Sequence, residues 1–171
     1  MKIKTIALIL ILMAINTSAY SELLPIPAPP KFGALSYILM DYGSGAVLAE
    51  HNPRERIDPA SITKIMTAYV VYKALAANDI QLEDLVLISE KAWRSIGSRT
   101  FVEVGKKIIL KDLLLGLIIQ SGNDASIALA EHVAGTEEAF VDIMNAHAKR
   151  LGLNDTNFTN ATGLPHAEHY T

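Results

Sequence analysis

Apolar positions fall first into short strand-type runs and then into long helical blocks. Ala34 to Met40 is a short run of strand-type residues. Asp41-Tyr42-Gly43-Ser44-Gly45 reads as a turn, and Ala46 to Ala49 returns as a second strand, predicting a hairpin. From about Pro59 to Ala77 the pattern becomes helical. Ile62, Ile65, Met66, Tyr69, Val70 and Leu75 make that helix apolar on most sides, which predicts a central, buried element. Asp58 is placed to be its N-cap and Pro59 its first residue. Val86 to Ser89 is a candidate short strand, and Trp93 to Thr100 looks irregular. A second apolar helix covers Leu110 to Gln120, Ser121-Gly122-Asn123 interrupts it, and Asp124 to Ala134 resumes it. Gly135 ends that helix, Thr136 caps the next, and the pattern stops near Arg150 and Gly152. The tail from Asn154 to Thr171 is polar and turn-rich. A two-stranded sheet cannot stand alone, so the front hairpin calls for further strands or an unusual architecture.

Composition narrows the function classes. The chain has 171 residues, half of them hydrophobic, which is enough for one domain with a real core. Formal net charge is −3, and the absence of any long Lys/Arg run gives no sign of nucleic-acid binding. With no cysteine, disulfides, thiol catalysis and cysteine-ligated metal are excluded. The N-terminus carries Lys2 and Lys4, an apolar stretch from Thr5 to Ile15, and small residues at Thr17 and Ala19. It reads as a secretory signal, residues 1–19, cleaved after Ala19 and too short to span a bilayer comfortably. A proline-rich lead-in occupies residues 20–31, and residues 32–171 form the domain.

Two clusters carry candidate chemistry. In Asp58-Pro59-Ala60-Ser61-Ile62-Thr63-Lys64, a serine and a lysine three apart share one face of a helix start. A helix N-terminus favours a developing oxyanion, while the positive helix end and apolar surroundings lower a lysine pKa toward that of a general base. The alternative is an ordinary helix start with an exposed lysine. In the second cluster, Ser121 and Asn123 can point the same way, to relay a proton and bind a substrate amide. The alternative there is a helix corner with Asn123 as the next N-cap.

Together these residues resemble a known family. Ser61-x-x-Lys64, followed some sixty positions later by Ser121-Gly122-Asn123, is similar to the serine-type D-alanyl-D-alanine carboxypeptidases, which are low-molecular-mass penicillin-binding proteins. Pro59 to Thr67, Gln120 to Ala125, Phe140-Val141-x-x-Met144-Asn145, Leu151-Gly152-Leu153 and Thr162-Gly163-Leu164 also fit. The resemblance implies an α/β (α+β) architecture, the penicillin-binding protein/β-lactamase-like transpeptidase fold, incomplete because its later sheet strands are absent. It implies that Ser61 attacks the penultimate D-alanine carbonyl and that Lys64 takes the serine proton. Ser121 passes a proton to the leaving D-alanine, and Asn123 binds the substrate backbone. No metal or organic cofactor is implied. The implied partners are peptidoglycan pentapeptide and, as covalent inhibitors, β-lactams. The implied location is the periplasm, attached to the outer face of the inner membrane through a C-terminal region. The family's Lys-Thr-Gly or Lys-Ser-Gly motif occurs nowhere in the 171 residues, so the chain is read as the N-terminal part of such an enzyme.

Two rival readings remain on the residues. One is a β-lactamase-like hydrolase and the other a truncated, non-catalytic cell-wall-binding module. His166 and His169 have spacing that could ligate metal, but they sit in a polar tail with no helix to align them. Asn154, Asn157 and Asn160 each begin an Asn-x-Thr match and are read as turn-forming residues.

Overall fold

The structure, a computed structural model, describes residues 28, 30, 31 and 33–171. The expected export signal and most of the lead-in lie outside the described residues. The chain divides into two units, one ending at Glu50 and the other running from His51 to Thr171.

The first unit carries the expected hairpin. Strands β1 (Tyr37–Met40) and β2 (Val47–His51) pair in a two-stranded sheet. Asp41 closes the turn by accepting hydrogen bonds from the Ser44 hydroxyl at 2.6 Å and the Ser44 N–H at 2.7 Å. These bonds, the hydroxyl's first, hold the Asp41 carboxyl below its ordinary value. Gly45 takes a φ of +70°, which a glycine adopts without strain. Ile38, Leu39, Met40, Val47 and Leu48 all remain exposed.

The second unit is mainly helical. A 3₁₀ turn, Ala60–Ile62, leads directly into helix α1 (Thr63–Ala77). Asp58 is not the N-cap: Pro59 precedes the 3₁₀ turn and Ile62 precedes the α-helix, neither with a side-chain cap. The tighter turn moves the α-helix start past the proline and puts Ser61 in 3₁₀ backbone. Helix α1 ends at Asn78, whose left-handed conformation lets its N–H reach the Leu75 carbonyl at 3.1 Å.

Strand β3 (Leu85–Leu87) pairs antiparallel with β4 (Lys107–Ile109), Val86 opposite Ile108. Strand β4 was not anticipated, because Ile108 and Ile109 run without a break into the apolar helix that follows. Between the strands, helix α2 (Glu90–Trp93) is capped by Ser89. Helices α3 (Leu110–Gln120), α4 (Asn123–Ala134) and α5 (Glu137–Arg150) follow within a residue of their expected bounds. Thr136 caps α5 as expected, accepting from the Ala139 N–H at 3.1 Å. The α/β (α+β) class is what the structure contains.

Helix α4, rather than α1, is the buried centre. Every residue from Asn123 to Ala130 is buried, and α4 packs against α1, α2, α3 and α5. Ala125, Ala128 and Ala130 let the neighbouring helices approach closely, while Leu129, Phe140 and Met144 fill the interior. Helix α1 buries Met66, Val70, Val71 and Ala74 but leaves Ile65 71 % exposed. Among the described residues no helix is long and apolar enough to cross a membrane.

The tail, read as a polar turn region, is docked by side chains from the helices. Asn145 bonds both the N–H and the carbonyl of Phe158. Glu137 accepts from the Ala161 N–H at 2.9 Å, and Thr67 donates to the Ala161 carbonyl at 2.7 Å. Asn160 is turn-forming as expected, its carboxamide oxygen accepting from the Thr162 and Gly163 N–H groups.

Candidate active site

Three parts of the chain converge on one amine. Lys64 projects from the first turn of α1 and is only 5 % exposed. Its Nζ lies 2.7 Å from Asn123 Oδ1, 2.7 Å from the Thr162 carbonyl oxygen and 3.3 Å from Ser61 Oγ. All three are acceptors for an ammonium. Burial nevertheless dominates and lowers the Lys64 pKa from 10.5 to about 8. A neutral amine keeps two N–H groups and one lone pair. The two carbonyl oxygens have no proton to give, so they hold the N–H groups and leave the lone pair facing the Ser61 hydroxyl.

Each wall of this cage has a local cause. Ser61 sits exposed on the 3₁₀ turn, and Ala60 before it holds a φ of +46°, strained for a residue with a Cβ. Asn123 is oriented by its other end, since Nδ2 donates to the Ile96 carbonyl at 2.6 Å and thus turns Oδ1 toward Lys64. Its backbone N–H reaches the Ser98 carbonyl at 2.7 Å. Asp124 pins the same loop, accepting from the Thr100 N–H and hydroxyl at 2.9 Å each and from the Val102 N–H at 3.3 Å. Thr162 is brought in by Gly163, where a Cβ would stand 1.8 Å from the Ala60 carbonyl oxygen. Only a glycine allows that approach.

Of the four residues singled out in the sequence, Ser61, Lys64 and Asn123 form one hydrogen-bonded group. Ser121 lines the same open cleft of about 460 Å³ with Ser61, Lys64, Tyr69, Leu117 and Ile118. Among the described residues it makes no hydrogen bond to Ser61 or Lys64. Ser121 has a φ of +55° and ends α3, while Gly122 precedes α4. The tripeptide is therefore a helix break, with Asn123 as the first residue of α4 rather than its cap.

The Thr162 carbonyl and the Ile96 and Ser98 carbonyls were not anticipated. A backbone acceptor leaves no residue-type signal; only Gly97 and Gly163 mark such close approaches. Among the described residues, no group of three or more His, Asp or Glu side chains is placed to hold a metal ion. His166 Nδ1 accepts from the Glu168 N–H, whereas His169 is turned inward onto Thr63.

Residues 25–171 match the family described as D-alanyl-D-alanine carboxypeptidase, peptidase S11. The chain is 50 % identical over 141 residues to D-alanyl-D-alanine carboxypeptidase DacC of Escherichia coli, covering 79 % of this chain and 35 % of the relative. It is 46 % identical over 138 residues to DacF of Bacillus subtilis, covering 81 % and 36 %. Among solved structures, the carboxypeptidase DacD from Francisella tularensis superposes with a TM-score of 0.82 at 41 % identity, over 92 % of this chain and 38 % of that one. Penicillin binding protein 5 from Haemophilus influenzae gives 0.81 at 43 %, over 85 % and 43 %. The chain thus spans about a third of the length of these curated relatives. It belongs to the D-alanyl-D-alanine carboxypeptidase family, peptidase S11, and its fold is the N-terminal part of the fold of penicillin-binding proteins.

Proposed function

We propose that this chain carries the nucleophile, base and substrate-amide residues of a serine DD-carboxypeptidase that removes the terminal D-alanine from peptidoglycan pentapeptides. The observation that carries the reading is the Lys64 amine, buried and held between Asn123 Oδ1 and the Thr162 carbonyl with Ser61 Oγ on its third side. Ser61 Oγ bonds to the penultimate D-alanine carbonyl carbon while Lys64 takes its proton. The carbonyl becomes an oxyanion, which the Ser61 backbone N–H stabilises. Collapse breaks the C–N bond, and the departing D-alanine amine receives a proton through Ser121. Water then adds to the ester and releases Ser61. Asn123 also holds the substrate backbone. The residue 1–19 signal supports export, so the site faces the periplasm, and β-lactams acylate Ser61 in place of substrate.

Labelling with fluorescent penicillin tests the reading. The folded chain is expected to form a long-lived adduct that Ser61→Ala abolishes. Rapid release of hydrolysed penicillin favours the β-lactamase-like reading. No labelling of correctly folded chain favours a binding module.

A further inference from the structure

His169 takes no part in the chemistry proposed above, yet it is only 2 % exposed. Its ring lies against the turn that carries the nucleophile. Nε2 is 2.7 Å from the hydroxyl of Thr63, a buried residue standing between Ser61 and Lys64. On the other side, the Thr159 N–H points at Nδ1 at 3.0 Å. A backbone N–H can only donate, so Nδ1 keeps its lone pair and the ring proton sits on Nε2. Nε2–H therefore donates to Thr63 Oγ1. Phe158 packs edge-on against the ring, with centroids 5.8 Å apart. One side chain thus ties the nucleophile turn to the segment whose Thr162 carbonyl holds Lys64.

We infer that neutral His169 is a positioning residue for the Ser61–Lys64 pair, and that its protonation uncouples the nucleophile turn from the docked segment around Thr159 to Gly163. An imidazolium would set an N–H on Nδ1 against the Thr159 N–H, so that backbone bond is lost, and the Thr159 hydroxyl, 3.2 Å from Nδ1, would have to turn from donor to acceptor. The charged groups facing the ring are few. Asp58, from the segment before the 3₁₀ turn, favours the imidazolium, and His166, from the ring's own segment, disfavours it. Arg56 and Glu168 border the same surface hollow. Thr63, Thr159 and Phe158, which touch the ring, carry no charge. Burial outweighs Asp58 and holds the ring below the ordinary histidine value of 6.5. The sign follows: the contact is intact above 6.5 and is lost as pH falls through the lower folded-state value. The consequence for acylation rests on the proposed acyl-enzyme chemistry, whereas the tautomer and the coupling do not.

Imidazole and amide 15N NMR titrations of the 171-residue chain test both. His169 is expected in the Nε2–H tautomer, titrating below 6.5, with the Ser61 and Lys64 amide shifts following the same midpoint. His169→Gln keeps a donor for Thr63 without a titratable ring, and should remove that transition from both amides. Thr63→Val, which removes the acceptor, should also uncouple them. An Nδ1–H tautomer overturns the inference, as do amides that stay still through the wild-type His169 titration; neither result depends on a variant folding. In penicillin labelling, the ratio of the His169→Gln rate to the wild-type rate should rise as pH falls through the His169 midpoint that the NMR titration gives; a ratio unchanged through that midpoint also overturns it. If nothing is labelled at any pH, the acyl-enzyme reading fails, and the NMR result decides the positioning role alone.

Discussion

Lys64 shows how a short-range motif acquires a chemical role from its surroundings. Three acceptors around Nζ favour the ammonium, and burial overrides them, leaving a pKa of about 8. Such an amine is neutral in about one molecule in ten at pH 7, against roughly three in ten thousand for a free lysine. With the neutral form as the proposed base, the penicillin acylation rate is expected to rise with pH and level off above about 8. A flat profile from pH 6 to 9 would contradict the base assignment. Lys64→Arg keeps the charge but does not deprotonate, and should reduce acylation at least about a hundredfold. Gly163 is the other residue whose identity is forced. At a φ of +83°, with its missing Cβ only 1.8 Å from the Ala60 carbonyl oxygen, Gly163→Ala should cost about 3 kcal/mol in urea unfolding. It should also slow acylation, since the same shift moves the Thr162 carbonyl off Lys64.

At the scale of elements, the site depends on loops held by side chains more than on helices alone. Helix α4 presents Asn123 at its first position, but the loop from Ile96 to Val102 decides which way that carboxamide faces. Asp124 holds this loop through Thr100 and Val102 and is itself 1 % exposed. Asp124→Ala should destabilise the chain by about 3 kcal/mol, because it orphans donors to a buried carboxylate. Hydrogen exchange should quicken first at the Thr100 and Val102 amides, and an unchanged exchange rate there would show that the loop stands without Asp124. The helix bounds were legible because each end has a local marker: Gly135 after α4, Thr136 before α5, and Ser121-Gly122 between α3 and α4. The 3₁₀ start of α1 was not, since Asp58-Pro59 is an equally good signal for an α-helix beginning four residues sooner.

For the molecule as a whole, the notable surface is apolar. Helix α1 leaves Ile65 71 % exposed and helix α3 leaves Ile119 77 % exposed, with Tyr72, Leu115 and Ile118 also open. Ile65, Tyr72 and Ile118 line one cleft, and exposed apolar side chains brought together favour association in water. Sedimentation of the 171-residue chain should therefore show concentration-dependent self-association, and Ile119→Lys should weaken it. A monomer at all accessible concentrations, in both forms, would show that these side chains cost little where they are.

The sequence by itself determined the helix order, the break at Ser121-Gly122, and the Ser61–Lys64 spacing, because caps, glycines and i,i+3 geometry act within a few residues of chain. The family was legible for the same reason, in motifs that are contiguous. Tertiary structure alone decided that α4 is the buried centre, since α1 and α4 are both apolar and only packing ranks them. It also decided that the polar tail docks, through Asn145, Glu137, Thr67 and His169, onto helices that precede it. The Thr162 and Ile96 carbonyls at the site belong to the backbone that every residue shares. No residue type announces them, and only the approach of distant segments makes them acceptors for Lys64 and Asn123.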